Sequence, residues 1–327
     1  MNLLRSIGLR RSTCVLVYSL LASSSQVGVE SRFVSVGDLR LQYTDWGGVG
    51  EPLIFIPGGC DTAFVFGDVA PRLATHFRVV GLTARGCGAS DRPASGYGME
   101  NQIGDIVGLM DALSIERATL IGHSSGGGKI TQLAQKYPGR VHRLVYLDTV
   151  FRYVAPGLEE KINAGIARAV GGKSMDSLDR WKRTARMWEL GAWSSAMDRH
   201  LEEILTIGSD GRLRFRHAAP ANWRQEVNRD MEADLYFDTR IVHPALMIFA
   251  MDTDRDRAKQ LDRQVRSELS PLIDATEERR RAEIRAFRAN GNHIRVVELR
   301  HTAHYCFVQR PAEVSGLILS FLLSPNR

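Results

Sequence analysis

From Ser31 onward, apolar runs alternate with stretches of helical period. Leu39-Arg40-Leu41-Gln42-Tyr43 alternates apolar and polar, as a half-buried strand does. Leu53–Ile56 is a continuous apolar run, the pattern of a strand covered on both faces, and Ala118–Ile121, Leu144–Leu147 and Pro244–Phe249 are further predicted strands. Phe77–Leu82 and Ile294–Leu299 complete the predicted strands. Between them lie predicted helices at about Asp68–His76, at Met99–Leu113 with Ile103, Ile106, Leu109, Met110 and Leu113 on one face, and after Gly126 with Ile130, Leu133, Ala134 and Tyr137 on one face. A charged helix from about Arg257 to Arg288 and an amphipathic helix at Ala312–Leu323, behind Pro311, close the series. Strands alternating with helices specify right-handed crossovers on a mostly parallel central sheet with helices on both faces, the α/β class.

Phe151–Arg240 breaks that rhythm. It reads as helical with a polar exterior and holds Trp181, Trp188, Trp193 and Trp223, four of the five tryptophans. Residues 31–150 and 241–327 therefore form one core, and Phe151–Arg240 is an insertion in it, not an independent domain. No internal repeat or low-complexity tract interrupts the pattern.

A chain of 327 residues with 44% hydrophobic and 24% charged residues excludes a disordered tail or a collagen-like repeat, and four cysteines are too few for a disulfide scaffold. The net charge of +6 points toward nucleic acid until its placement is considered. Arg5, Arg10 and Arg11 precede a short apolar run, Cys14–Tyr18 and Leu20–Ala22, and then Ser23-Ser24-Ser25. That is the form of a secretory signal over Met1–Ser25, too short for a membrane span of about 20 apolar residues. Its removal would leave +3. The basic run Arg279-Arg280-Arg281 is interleaved with Glu277, Glu278 and Glu283, as on a solvated helix face. The expectation is an exported protein with no nucleic-acid partner and no stable membrane anchor. Once Cys14 is removed, Cys60, Cys87 and Cys306 remain. They read as small apolar fillers, although the odd number also permits one bridge and one free thiol. No His/Cys cluster has zinc spacing, so no metal is expected.

Gly122-His123-Ser124-Ser125-Gly126 lies between a predicted strand and a predicted helix. A serine on such a sharp turn projects its hydroxyl off the sheet, the glycines permit the backbone to fold back, and the helix start aims its amides at the same place. A phosphate loop would need Lys-Ser or Lys-Thr after the last glycine, and Gly128-Lys129-Ile130 does not supply it. Ser124 is the candidate nucleophile and requires a base. Among nine histidines, His304 follows the last strand and precedes the closing helix, at the carboxyl edge of a parallel sheet where active sites gather; His301 is its competitor. Oxyanion donors are expected from the Ser125 amide and from the turn after Leu53–Ile56, where Gly59 is the choice.

Taken together, these pieces resemble the α/β-hydrolase superfamily over nearly all of Ser31–Leu323. Pro57-Gly58-Gly59, the Arg85–Pro93 loop, Gly122–Gly126 and His304 with Pro311 seven residues on stand in family order. Pro57 replaces the histidine usual in the family, which leaves the backbone donor and alters the pocket wall. The resemblance implies that Phe151–Arg240 is a helical cap. It also implies a triad acid, either Asp148 just after the strand that follows the nucleophile helix, or Asp252 or Asp254 after the strand that follows the cap. Relatives that act as dehalogenases or epoxide hydrolases carry Asp where this chain has Ser124. The resemblance therefore implies a Ser-His-Asp hydrolase of a small carboxylic ester with an apolar part, needing no cofactor. Lactone, amide or C–C hydrolysis, and a non-catalytic ligand-binding role, are the alternatives.

Overall fold

The computed structural model describes residues 31–149, 177–185, 191–216, 222–233, 235, 240–259, 263–289 and 293–324. The signal expected at Met1–Ser25 and the first part of the expected cap lie outside the described residues.

Eight strands form one sheet in the order β1-β2-β4-β3-β5-β6-β9-β10: β1 Ser31–Val36, β2 Leu39–Gly47, β3 Pro52–Ile56, β4 Arg78–Leu82, β5 Ala118–His123, β6 Val141–Leu147, β9 Ala245–Ala250 and β10 Ile294–Leu299. From β4 to β10 every neighbouring pair is parallel; β1 and β2 add an antiparallel edge. β1 goes beyond the predicted strands, because its alternation Phe33–Val34–Ser35–Val36 is short and half exposed.

Each central strand feeds two cores because successive side chains face opposite ways. Ile54 and Ile56 join the core that packs α2 (Met99–Ala112) and α3 (Ser125–Lys136). Leu53 and Phe55 join the other, with Phe66, Leu73, Val314 and Ile318. That is the physical reason those strands read as unbroken apolar runs. Burial of a side chain as large as Phe55, at 0% exposure, stabilises by about 2–3 kcal/mol.

Several predicted helices are cut differently. The Asp68–His76 helix reduces to a single α-turn, α1 (Ala70–Leu73), with Pro71 in its first turn, and a 3-10 turn at Ala63–Phe66 precedes it. In the region of the long charged helix the described elements are α7 (Thr253–Ala258) and α8 (Arg263–Ala289). Between β6 and β9 the described elements are α4 (Leu178–Ala185), α5 (Ser195–Ile204), α6 (Trp223–Glu232) and a small antiparallel hairpin, β7 (Leu205–Ile207) with β8 (Leu213–Phe215). The hairpin departs from the all-helical reading of this insertion; strands of three residues carry too little alternation to register. Trp181 and Trp193 meet edge to face there, with centroids 6.1 Å apart, while Trp223 packs against the main core. The chain ends in α9 (Cys306–Gln309) and α10 (Pro311–Leu323).

The cysteine reading is corrected: Cys60 and Cys87 form a disulfide, tying the loop after β3 to the loop after β4. Among the described residues Cys306 is a free, buried thiol. Among the described residues no helix is long and apolar enough to cross a membrane.

Candidate active site

The sheet register builds the site. Ile56 pairs with Gly122, His123 with Leu147, Leu147 with Ile248, and Ala250 with Leu299. The strands thus end nearly level, and the residues just beyond them line one carboxyl edge. β4 and β5 lie on opposite sides of β3, so the chain reverses direction there, where a parallel sheet opens a crevice.

Ser124 stands in that crevice with φ 50° and ψ −125°, a conformation that costs a non-glycine residue on the order of 1–3 kcal/mol. The turn is pinned by its own amide on the Leu147 carbonyl at 3.1 Å and by the Gly127 amide on the Ser124 carbonyl at 3.0 Å. Gly126 is obligatory because a Cβ there would lie 2.2 Å from the Ile56 carbonyl oxygen. Asp148 and Asp252, at the ends of β6 and β9, and His301, after β10, also have positive φ, so strain concentrates along this edge.

His304 Nδ1 meets Asp148 Oδ2 at 2.7 Å. Asp148 is 1% exposed, and its Oδ1 accepts the Ala250 amide at 2.8 Å. Burial pushes its pKa up, but the Arg280 cation, the His304 hydrogen bond and the Ala250 amide outweigh burial and hold the carboxyl below the usual carboxylate range. Asp252 does not reach His304: its Oδ2 lies 3.7 Å from Arg300 and 4.0 Å from His301. Asp254 lies in the first turn of α7. The competitor His301 is exposed and pairs with Asp256 at 2.9 Å. The Ser124 hydroxyl makes no hydrogen bond among the described residues, a common state of a nucleophile without substrate.

Gly59 has φ +50° and donates its amide to Ser125 Oγ at 2.9 Å, so the expected oxyanion donor rests on a hydroxyl. Ser125 opens α3, and its own amide stands at the helix start. Gly58 makes this approach possible, since a Cβ there would sit 2.5 Å from Ser124 Cβ.

Sequence reasoning missed the residues that hold these groups. His123 is 1% exposed and lies under His304, with ring centroids 4.5 Å apart; burial and then the nearby His304 push its pKa well down, so it is neutral. Tyr305 donates its hydroxyl to Asp61 Oδ2 at 2.7 Å, and Asp61 Oδ1 lies 3.4 Å from His200 Nε2 on α5. His200 is 3% exposed, Thr62 donates its amide to Nδ1, and burial lowers its pKa to about 4. This chain of contacts ties the oxyanion loop to the His304 loop and to the insertion. Only the motif neighbours His123 and Tyr305 were signalled by position; Asp61 and His200 are 139 positions apart, with no local pattern to join them. Lys129, one turn along α3 from Ser125, is 3% exposed, and burial, partly offset by Asp105 and Asp61, lowers its pKa to about 8. The reading of Arg280 as part of a solvated face is also corrected: its guanidinium turns inward to Asp148 at 3.4 Å. Among the described residues no group of three or more His, Cys, Asp or Glu could hold a metal.

Comparison with known proteins agrees with this architecture. The chain is 33% identical over 138 residues to a 2-(acetamidomethylene)succinate hydrolase of Mesorhizobium japonicum, covering 41% of this chain and 49% of that protein. It is 39% identical over 131 residues to a 2-hydroxymuconate semialdehyde hydrolase of a Pseudomonas species, covering 39% and 45%. The matches thus span about half the length of these relatives. The crystal structure of an E-2-(acetamidomethylene)succinate hydrolase superposes with a TM-score of 0.64 at 23% identity, over 90% of this chain and all of the other, a likeness of fold. Residues 51–253 match the family described as the alpha/beta hydrolase fold, and the chain belongs to that family of hydrolases.

Proposed function

We propose that the chain is a serine hydrolase that cleaves a small carboxylic ester, with an apolar part, through an acyl-enzyme, with Ser124, His304 and Asp148 as its triad. The carrying observation is the 2.7 Å contact between His304 Nδ1 and Asp148 Oδ2, beside a strained Ser124 at the same sheet edge. In this reading Asp148 fixes the imidazole tautomer so that Nε2 takes the Ser124 proton as Oγ attacks the carbonyl. The proton then passes to the leaving alcohol, and water repeats the cycle on the acyl-enzyme. The Gly59 and Ser125 amides receive the oxyanion. The Gly59 amide must leave Ser125 Oγ, a neutral acceptor, and a charged oxygen is the stronger one. The exchange favours the tetrahedral intermediate over the bound ester, which is the useful direction for catalysis.

Ser124→Ala should lower kcat/KM on p-nitrophenyl butyrate at least ~10³-fold, and Asp148→Asn by a comparable order, with the fold intact by circular dichroism. Undiminished turnover by Ser124→Ala would remove the reading, and an inert wild type that still binds a ligand would favour a non-catalytic role. A second reading, in which the same triad cleaves a C–C bond, is favoured by the similarity to the 2-hydroxymuconate semialdehyde hydrolase. Turnover of that semialdehyde exceeding turnover of any simple ester or lactone would select it.

The role of residues 151–240 as a cap belongs to the same proposal; it is supported by α5, whose His200 reaches the oxyanion loop. Export is likewise proposed, supported by the Cys60–Cys87 bridge, since such bonds form and persist in oxidising compartments.

A further inference from the structure

Arg280 lies on α8, within a run of three arginines that a sequence would leave in solvent. Its guanidinium instead donates to the Ala250 carbonyl and stands 3.4 Å from Asp148 Oδ1. That oxygen already accepts the Ala250 amide at 2.8 Å, and the other, Oδ2, faces His304 Nδ1 at 2.7 Å. The carboxylate is therefore held from one side by a cation and from the other by the imidazole. The arginine side chain is 20% exposed and that of Asp148 2%, so solvent screens the pair weakly.

We propose that Arg280 is a positioning residue of the triad: it anchors Asp148 and, by its charge, reduces the stabilisation that this acid gives to a protonated His304. The proposal rests on the serine-hydrolase reading. An acid that already has a counter-ion stabilises an added imidazolium less, and two cations sharing one carboxylate repel each other. Burial raises the pKa of Asp148, and Arg280 is the first of the causes that outweigh it and hold the carboxyl below its usual range, in keeping with this geometry.

Other groups face the pair from each packed element. His123, at the end of β5, is buried and neutral. Tyr305, on the His304 loop, has its ring 5.6 Å from His304 and its hydroxyl on Asp61 of the oxyanion loop. Cys306 is buried, and burial and then Asp148 raise its thiol so that it stays protonated. Arg310, beyond α9, is committed to the Arg300 carbonyl and to Glu313. Among the described residues, Arg280 is thus the arginine or lysine in direct ion-pair contact with the acid.

The test follows the His304 imidazole by NMR across pH in the wild type, Arg280→Met, Arg280→Gln and Arg280→Lys, beside the pH profile of kcat/KM. In the two neutral variants the imidazole should take up its proton at a pH about one unit higher, and the acid limb of kcat/KM should move up with it. Arg280→Lys, which keeps the charge, should move less than half as far. Midpoints that coincide with the wild type in both folded neutral variants would overturn the proposal. So would Arg280→Lys shifting as far as Arg280→Met, because geometry and not charge would then be responsible. The NMR midpoint does not require turnover, so this failure is distinct from undiminished activity of Ser124→Ala, which would overturn the serine-hydrolase reading.

Discussion

His200 shows how one residue can set the acid limit of the whole fold. Buried at 3% exposure, it accepts the Thr62 amide on Nδ1 and faces Asp61 with Nε2, so its neutral form is the one that fits. Its folded pKa is about 4 against an ordinary 6.5. The unfolded chain therefore binds a proton from about pH 6.5 downward, while the folded chain refuses it until about pH 4. Stability from this residue is whole above pH 6.5 and is lost as pH falls toward 4, by roughly 2–4 kcal/mol. His200→Gln should be less stable than the wild type at pH 7, by about 1 kcal/mol for the lost hydrogen bond, yet should lose less between pH 6.5 and 4. Urea unfolding of both proteins at several pH values measures this, and parallel slopes would count against the assignment. His123, also buried and neutral, acts in the same direction and remains in both proteins.

At the scale of elements, α6 acts as a clamp on the main core. Glu226 accepts the amides of Gly96, Tyr97 and Gly98 at 3.1, 2.7 and 3.2 Å, and Asp230 accepts that of Met99 at 2.5 Å. Gly98 and Met99 carry amides that the start of α2 leaves without an intrahelical partner, and the N-cap Gly98 has no side chain to cap them, while Gly96 and Tyr97 lie in the turn just before. Glu226→Ala should cost about 2 kcal/mol, and hydrogen exchange should speed at Gly96, Tyr97 and Gly98 while the β5 amides stay protected. The sequence reveals elements of this kind unevenly. Leu53–Ile56 and Leu144–Leu147 are legible because two-sided burial demands uninterrupted apolar residues. Ser124 and its glycines are legible because the strand-to-helix turn demands small neighbours at fixed spacing. The long-range contacts escape. The clamp joins residues about 130 positions apart, and Arg280 looks like a surface arginine until Asp148, in a distant strand end, is placed beside it. The Cys60–Cys87 bridge is hidden for the same reason, since spacing alone does not pair cysteines.

For the whole molecule, that bridge closes a loop of 27 positions and spans from the oxyanion turn to the loop after β4. Constraining the unfolded chain over such a loop is worth about 3.5 kcal/mol in the chain-entropy account. Reduction, or Cys60→Ser with Cys87→Ser, should lower stability by about that amount. It should also lower kcat more than it raises KM, because Cys60 adjoins Gly59. Protein recovered from outside the cytoplasm should carry the bridge intact and begin beyond Ala22; a retained Met1 would remove the export proposal. The level ends of β3, β5 and β6 have a different consequence. A slip of one residue along a strand displaces the loop at its end by about 3.3 Å and turns each side chain to the opposite face. Gly58, Ser124 and Asp148 each sit immediately past, or one residue past, those ends, so one slip anywhere among the three strands dismantles the whole array. Turnover per milligram then works as a proofreading signal for strand pairing: misregistered compact forms contribute nothing, and the catalytic yield of a refolding mixture counts its correctly threaded molecules.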